Sequence, residues 1–225
     1  MNSSDIRYRA RQDLAGKWGV AILAGFLAAL LGGLVSSSGG GNIDLDQQEI
    51  ARLPDILKTY LLIAASIGAV MGTITLIVGG TVELGYSKFL LKMHDGEGAK
   101  VEDLFSQFHR FGDGFCQRLL RALFVALWSL LFVIPGIVAS LKYAMTPFIL
   151  AENPGMTASE AITASKELMD GHKADLFFLQ LSFIGWAILN VFTLGIGSLW
   201  LVPYINASYA AFYRSICNRR DNVVE

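Results

Sequence analysis

Along this chain the apolar residues gather into long runs, and the charged residues collect in the short stretches between them. A soluble core does not require that segregation, whereas a membrane helix needs about 20 mostly apolar residues in a row. The first run covers residues 18–35, with Trp18 where an interfacial anchor would sit. Small residues recur in it every four positions, at Ala21, Gly25, Ala29 and Gly33, a stripe that lets helix backbones approach closely in lipid. A second run covers about 56–82, with Ala64, Gly68 and Gly72 in the same spacing, and a third covers 119–134. Beyond Pro135-Gly136 the chain is apolar again over 137–151, apart from Ser140, Lys142 and Thr146. Two further runs, 176–192 and 196–213, are parted by Thr193-Leu194-Gly195.

The polar stretches have a helical period of their own. Residues 4–17 place Ile6, Ala10 and Leu14 on one face, and residues 92–114 do the same with Leu104, Phe105, Phe108 and Phe111. Residues 157–170 open with Thr157 and Glu160 in capping-box spacing. Behind that cap, Ala161, Ile162, Ser165, Leu168 and Met169 form a mildly apolar face. Each pattern predicts an amphipathic helix lying at the membrane surface. Residues 36–55 are Gly/Ser-rich and then acidic, and predict a loop with a short helix near its end. A secretory signal cut at Val35-Ser36-Ser37 is the competing reading of the N-terminus; the amphipathic start and the small-residue stripe favour a folded bundle.

Pro135-Gly136 decides the topology. If the pair is a hairpin tip, the chain crosses six times with both termini inside. Arg52 and Lys58 then lie outside, Lys142 lies between, and every other basic residue lies inside, as the positive-inside rule prefers. If one bent helix runs through, five crossings put Lys166, Lys173, Arg214, Arg219 and Arg220 outside. The charge pattern favours six. Residues 137–151 then rise only about 22 Å, short of the roughly 30 Å hydrocarbon core.

The six-crossing reading gives an all-α polytopic bundle of three hairpins, each preceded by an amphipathic surface helix. The chain is one integral membrane domain, 1–225, with units of about 1–92, 99–152 and 156–214 and a short polar tail, 215–225. A glycine marks the joint after each surface helix: Gly16-Lys17, Gly112-Asp113-Gly114 and Gly171-His172-Lys173.

Composition narrows the function classes. The chain is 53% hydrophobic and 16% charged, where soluble domains carry about a quarter charged residues. A net charge of −1 and the lack of a basic run point away from nucleic acid. Cys116 and Cys217 match no metal-ligand spacing, and both are expected at cytoplasmic helix ends as reduced thiols. His94, His109 and His172 fall in separate loops, and no zinc-protease, nucleophile-elbow or phosphate-loop pattern occurs. No catalytic residue, cofactor or metal is expected, and the chain reads as a non-enzyme.

Lys142, within apolar sequence, is the principal candidate intramembrane polar residue, since charge there costs about 2.5–3.5 kcal/mol on insertion scales. It has three readings: snorkelling or donation to carbonyls near Pro135 or Pro147, an ion pair with Glu83, or a solute or ion pathway. Asn206, with Asn190 and Gln180, is expected to hydrogen-bond between helices. Ser165, Lys166 and Lys173 form a candidate cytoplasmic docking face on the third surface helix.

The run LWSLLFVIPGIVASLKYAMTPFILAENPGMTASEAITASKELMDGHKADLF, with LSFIGW after it, resembles a bacterial integral-membrane family called domain of unknown function 975. So do the N-terminal Arg-Ala-Arg-x-x-Leu-x-Gly-x-Trp, Pro203-Tyr204 and Phe212-Tyr213. The Pro-Gly turn followed by Ala-x-x-x-Ser-Lys is, more distantly, similar to the membrane region of glycerophosphodiester phosphodiesterases, without a segment long enough for their catalytic barrel. The resemblance implies a multi-pass membrane location and no established chemistry. The expected role is a non-enzymatic interaction or scaffold module of the cell membrane, with both termini cytoplasmic. A small-solute transporter or channel lined by Lys142 is the alternative, and a lipid-headgroup enzyme using Glu83, Glu102 or Asp103 the third. Expected partners are the lipid bilayer, anionic lipid headgroups, and a membrane protein or second copy of the chain.

Overall fold

The computed structural model describes residues 3–28, 78–193 and 197–224, with the single positions 59 and 66. Every regular element among them is helical. The helices are α1 (Ser3–Leu14), α2 (Trp18–Ala28), α3 (ending 78–95), α4 (Phe111–Leu131) and α5 (Val133–Lys142). After them come α6 (Thr146–Glu152), α7 (Ala158–Leu168), α8 (Lys173–Leu181), α9 (Ile184–Phe192) and α10 (Ser198–Val224). Much of the first two apolar runs, the loop between them and the joint 194–196 lie outside the described residues.

The central hairpin is real, and its turn takes a single residue. Phe132 is extended (φ −161°, ψ 153°), its N–H still bonding the Trp128 carbonyl, and α5 starts at the next residue. Pro135 therefore falls in the first turn of α5, where its missing N–H costs nothing. Gly136 lets the arms close: a Cβ there would lie 2.2 Å from Ser129 Oγ and 2.9 Å from Ser129 Cα. The pair thus serves the return of the chain, although the bend itself is three residues earlier.

The second arm continues through a turn at 143–145 into α6. Ile134–Glu152, 19 residues, is the one stretch among the described residues with the length and hydropathy of a membrane crossing; Trp18–Ala28 is apolar but shorter.

The first and third amphipathic patterns match the structure. Ile6, Ala10 and Leu14 are buried along α1, which packs on α10. Thr157 and Glu160 close their capping box at the start of α7. Gly16 and Gly171 take the left-handed conformation (φ 77° and 78°) at the joints after α1 and α7. The second pattern does not make a surface helix. Its residues form two 3₁₀ turns, Val101–Phe105 and Phe108–Arg110, and Gly112 and Gly114 fall inside α4. Backbone contact is the reason: a Cβ on Gly85 would lie 1.9 Å from the Leu104 carbonyl oxygen, and one on Gly80 2.0 Å from that of Gly114. Leu104 is thereby buried against α3, while Phe105, Phe108 and Phe111 stay exposed.

Two other expected boundaries shift. The apolar run 176–192 is two helices, α8 and α9, broken at Ser182-Phe183. The expected polar tail is the last part of α10, which contains neither glycine nor proline beyond Pro203 and stays helical to Val224.

The core sits away from the hairpin tip. Phe89, Leu90, Leu104, Met145, Leu150 and Phe212 are almost fully buried, where α3, α6 and α10 meet the 3₁₀ turns. The tip is the reverse, with Leu130, Phe132 and Ile134 exposed by 87%, 71% and 75%.

Candidate functional site

The ionic side chains of the described residues build a foot under the apolar hairpin. Arg110, with its side chain only 6% exposed, donates to the carbonyls of Leu150 and Met156 at 2.8 Å and of Asn153 at 3.4 Å. Leu150 is in the last turn of α6, where Pro154 has no N–H to offer its carbonyl; Asn153, whose carbonyl also accepts the Met156 N–H, and Met156 lie in the turn beyond. Asp113 Oδ2, at 3.1 Å from Arg110 Nε, balances the charge. On the other side Arg214 grips Asp95 of α3 and Glu152 of α6, and the Tyr213 hydroxyl donates to Glu152 at 2.7 Å. Lys92 bonds Asp103 at 2.6 Å, and His94 bonds Asp13 at 2.5 Å. Burial alone would raise the Asp103 carboxyl. The Lys92 hydrogen bond, the Lys100 backbone N–H and the charges of Lys92 and Lys88 outweigh it and hold its pKa below the ordinary value.

Glu83 does not pair with Lys142. Its carboxylate bonds Arg121 at 2.7 Å, with Gln117 Nε2 at 3.5 Å, because α3 crosses the lower half of α4 through the Gly80–Gly114 contact. Lys142 ends α5, half-buried, in reach of the loop after α7. The Asp170 carboxyl there is held below its usual range mainly by Lys173, bonded at 2.7 Å, and also by the charge of Lys142. Asn206 donates to the Val202 carbonyl of its own helix at 3.0 Å, and its side chain also bears on the Tyr86 hydroxyl of α3, the contact between helices that the sequence predicts.

The three residues of the expected docking face separate. Ser165 is fully buried and donates to the Lys142 carbonyl at 2.9 Å, tying α7 to the end of α5. It is a packing residue, because its position on the helix belongs to the mildly apolar face. Lys166 is exposed, and Lys173 is drawn to Asp170.

A cavity of about 350 Å³ lies elsewhere, between the start of α2, α9 and the start of α10. Three of the four tryptophans of the chain, Trp18, Trp186 and Trp200, line it. Arg11 and Tyr204 close one end: Arg11 Nε donates to the Tyr204 hydroxyl at 3.0 Å, and the guanidinium lies 5.6 Å from that ring's centre. Arg7, one turn earlier, donates to the Ser182 carbonyl at 3.4 Å, and its Nε is buried without a partner. At the other end Thr193 donates to the Asn190 carbonyl at 2.9 Å and accepts the Gly197 N–H at 3.1 Å.

The sequence reading missed Arg110, Arg214 and this cavity. Each depends on residues far apart in the chain, such as Arg11 with Tyr204. The one local signal was Arg110 three residues before Asp113. Among the described residues no group of His, Cys, Asp or Glu is arranged to hold a metal, and neither Cys116 nor Cys217 forms a disulfide.

A family model described as protein of unknown function, DUF975, matches residues 1–139 and 130–220. No curated protein and no solved structure matches the chain.

Proposed function

As the chain belongs to DUF975, a family of proteins of unknown function, we propose its role from its surfaces: a non-enzymatic module of the cell membrane that works through contacts with lipid or partner proteins. The observation that carries this is the split between apolar tips and an ionic foot. No charged residue occurs between Arg121 and Lys142. Leu127, Trp128, Leu130, Phe132, Ile134 and Ile137 are all exposed there. Left in water, such a surface is a liability for a monomeric protein; in hydrocarbon it needs no cover.

On this reading the hairpins enter from the cytoplasmic face and both termini stay on it. The central one dips rather than crosses. From Arg121 to Phe132, and from Phe132 back to Lys142, each arm rises about 15 Å, half of a roughly 30 Å core. At the level of those residues α7 packs against α4 and the end of α5, Ile162 meeting Ala139, Tyr143, Leu120 and Val125, with Glu160, Lys166 and Glu167 exposed on its outer side. A helix with that outer face belongs among headgroups or in water. Lys142 beside Asp170 fits the same boundary.

A solute pathway through Lys142 has less behind it, because the ammonium lies at the edge of α7 and the cavity lies between other helices. A headgroup enzyme is also less favoured, since Glu83 is held by Arg121 and Asp103 by Lys92.

The test is extraction and accessibility. The full chain should remain in the membrane pellet after alkaline carbonate, and a C-terminal tag should be digested in inverted vesicles but not in intact spheroplasts. Release into the supernatant would end the membrane reading, and digestion in spheroplasts would end the topology.

A further inference from the structure

The cavity beside Arg11 combines an apolar wall with a cation at one end. Its wall is aromatic, Arg11 stands at one end, and Arg7 lies one turn earlier on the same face of α1, outside the lining. At three other places the fold answers an arginine with carboxylates: Asp113 on Arg110, Glu83 on Arg121, Asp95 and Glu152 on Arg214. Here it does not. Among the described residues the partners of Arg7 and Arg11 are a carbonyl and a phenol, both neutral, and the Arg7 Nε stays buried and unanswered. Tyr204 takes only the Nε of Arg11, which leaves the two terminal nitrogens of its guanidinium for a phosphate, the geometry in which arginine binds two oxygens at once. Three tryptophans share the groove with that charge, and such amphipathic rings favour the headgroup boundary. The far end is already satisfied by the Asn190–Thr193–Gly197 bonds, so the wall between offers apolar contact and asks for no polar partner.

We propose that this groove binds an anionic phospholipid, its phosphate on Arg11 with Arg7 behind it and one acyl chain along Trp18, Trp186 and Trp200. The assignment rests on the membrane reading above and names the lipid that this reading leaves open.

Tryptophan quenching tests it on the full chain. Trp128 is the tryptophan outside the groove, exposed on the central hairpin, so W128F leaves a signal from groove residues alone. This variant is reconstituted into vesicles of unlabelled phosphatidylcholine doped with chain-brominated phosphatidylglycerol or chain-brominated phosphatidylcholine. The glycerol lipid should quench with about tenfold higher apparent affinity, the ratio that ~1.4 kcal/mol gives. Adding R7Q and R11Q should erase the preference while far-ultraviolet circular dichroism stays unchanged. Equal quenching by both lipids in W128F overturns the lipid site and leaves the membrane reading standing, and this arm needs no arginine variant to fold. A preference that survives R7Q/R11Q overturns the assignment to these arginines. Quenching by neither lipid overturns the membrane reading, and the site with it.

Discussion

Arg110 and Asp103 are the residues whose chemistry most directly holds the foot together. Arg110 is buried because the carbonyls of Leu150 and Met156, at and beyond the end of α6, need donors and one guanidinium can supply both. Its replacement by alanine strands those carbonyls and should cost roughly 2–4 kcal/mol, seen as a lower unfolding midpoint in detergent. R110K keeps the charge but not the fork, and should recover less than half of the loss. Asp103 predicts a pH dependence. Its folded pKa is depressed, so its contribution is complete above the unfolded value and disappears as pH falls through the folded one. Thermal midpoints should therefore fall as pH drops below about 4, and D103N should be less stable at neutral pH but flatter across that limb. A D103N midpoint equal to that of the parent at neutral pH would mean that the Lys92–Asp103 bond contributes nothing.

At the scale of elements, close backbone approach and hairpin depth matter most. Gly85 accepts the Leu104 carbonyl against its α-carbon. G85A must push the 3₁₀ turn away, at a cost of roughly 1–3 kcal/mol, whereas G155A, which meets nothing within 4 Å, should be silent in the same melting assay. The central hairpin predicts a labelling pattern. With Cys116 and Cys217 changed to serine the chain has no thiol, and F132C then reports on the tip alone. An impermeant maleimide should fail to reach it in intact or inverted vesicles and should react after detergent is added. Labelling from the outer face alone would mean that the hairpin crosses completely.

For the whole molecule, Arg214 joins segments that are remote in sequence. It belongs to α10 and holds Asp95 of α3 and Glu152 of α6, so one residue locks three helices at the foot. A double-mutant cycle of R214A with E152A should give a coupling of roughly 1 kcal/mol, the part due to their mutual contact, since Arg214 keeps Asp95 and Glu152 keeps Tyr213 when the other is gone. Strict additivity would reduce the contact to a surface pair of little worth. The apolar tip and this ionic foot lie at opposite ends of the central hairpin, and that polarity is why a membrane role is proposed.

The helical class, the amphipathic faces of α1 and α7, the capping box at Thr157 and the hairpin near Pro135 were legible in the chain, because each rests on residues within a few positions of one another. Periodicity and local capping act over single turns, and a sequence displays them directly. What only tertiary structure decided was contact across long separations. Gly80 against Gly114 and Gly85 against Leu104 turned an expected surface helix into 3₁₀ turns, since two backbones cannot occupy the same space whatever the side-chain period says. Glu83 took Arg121 rather than Lys142 because that crossing brought it there. Ser165, on the expected docking face, was drawn inward to the carbonyl that ends α5. The groove beside Arg11 exists because α1, α2, α9 and α10 converge, and no local pattern encodes which distant helices will meet.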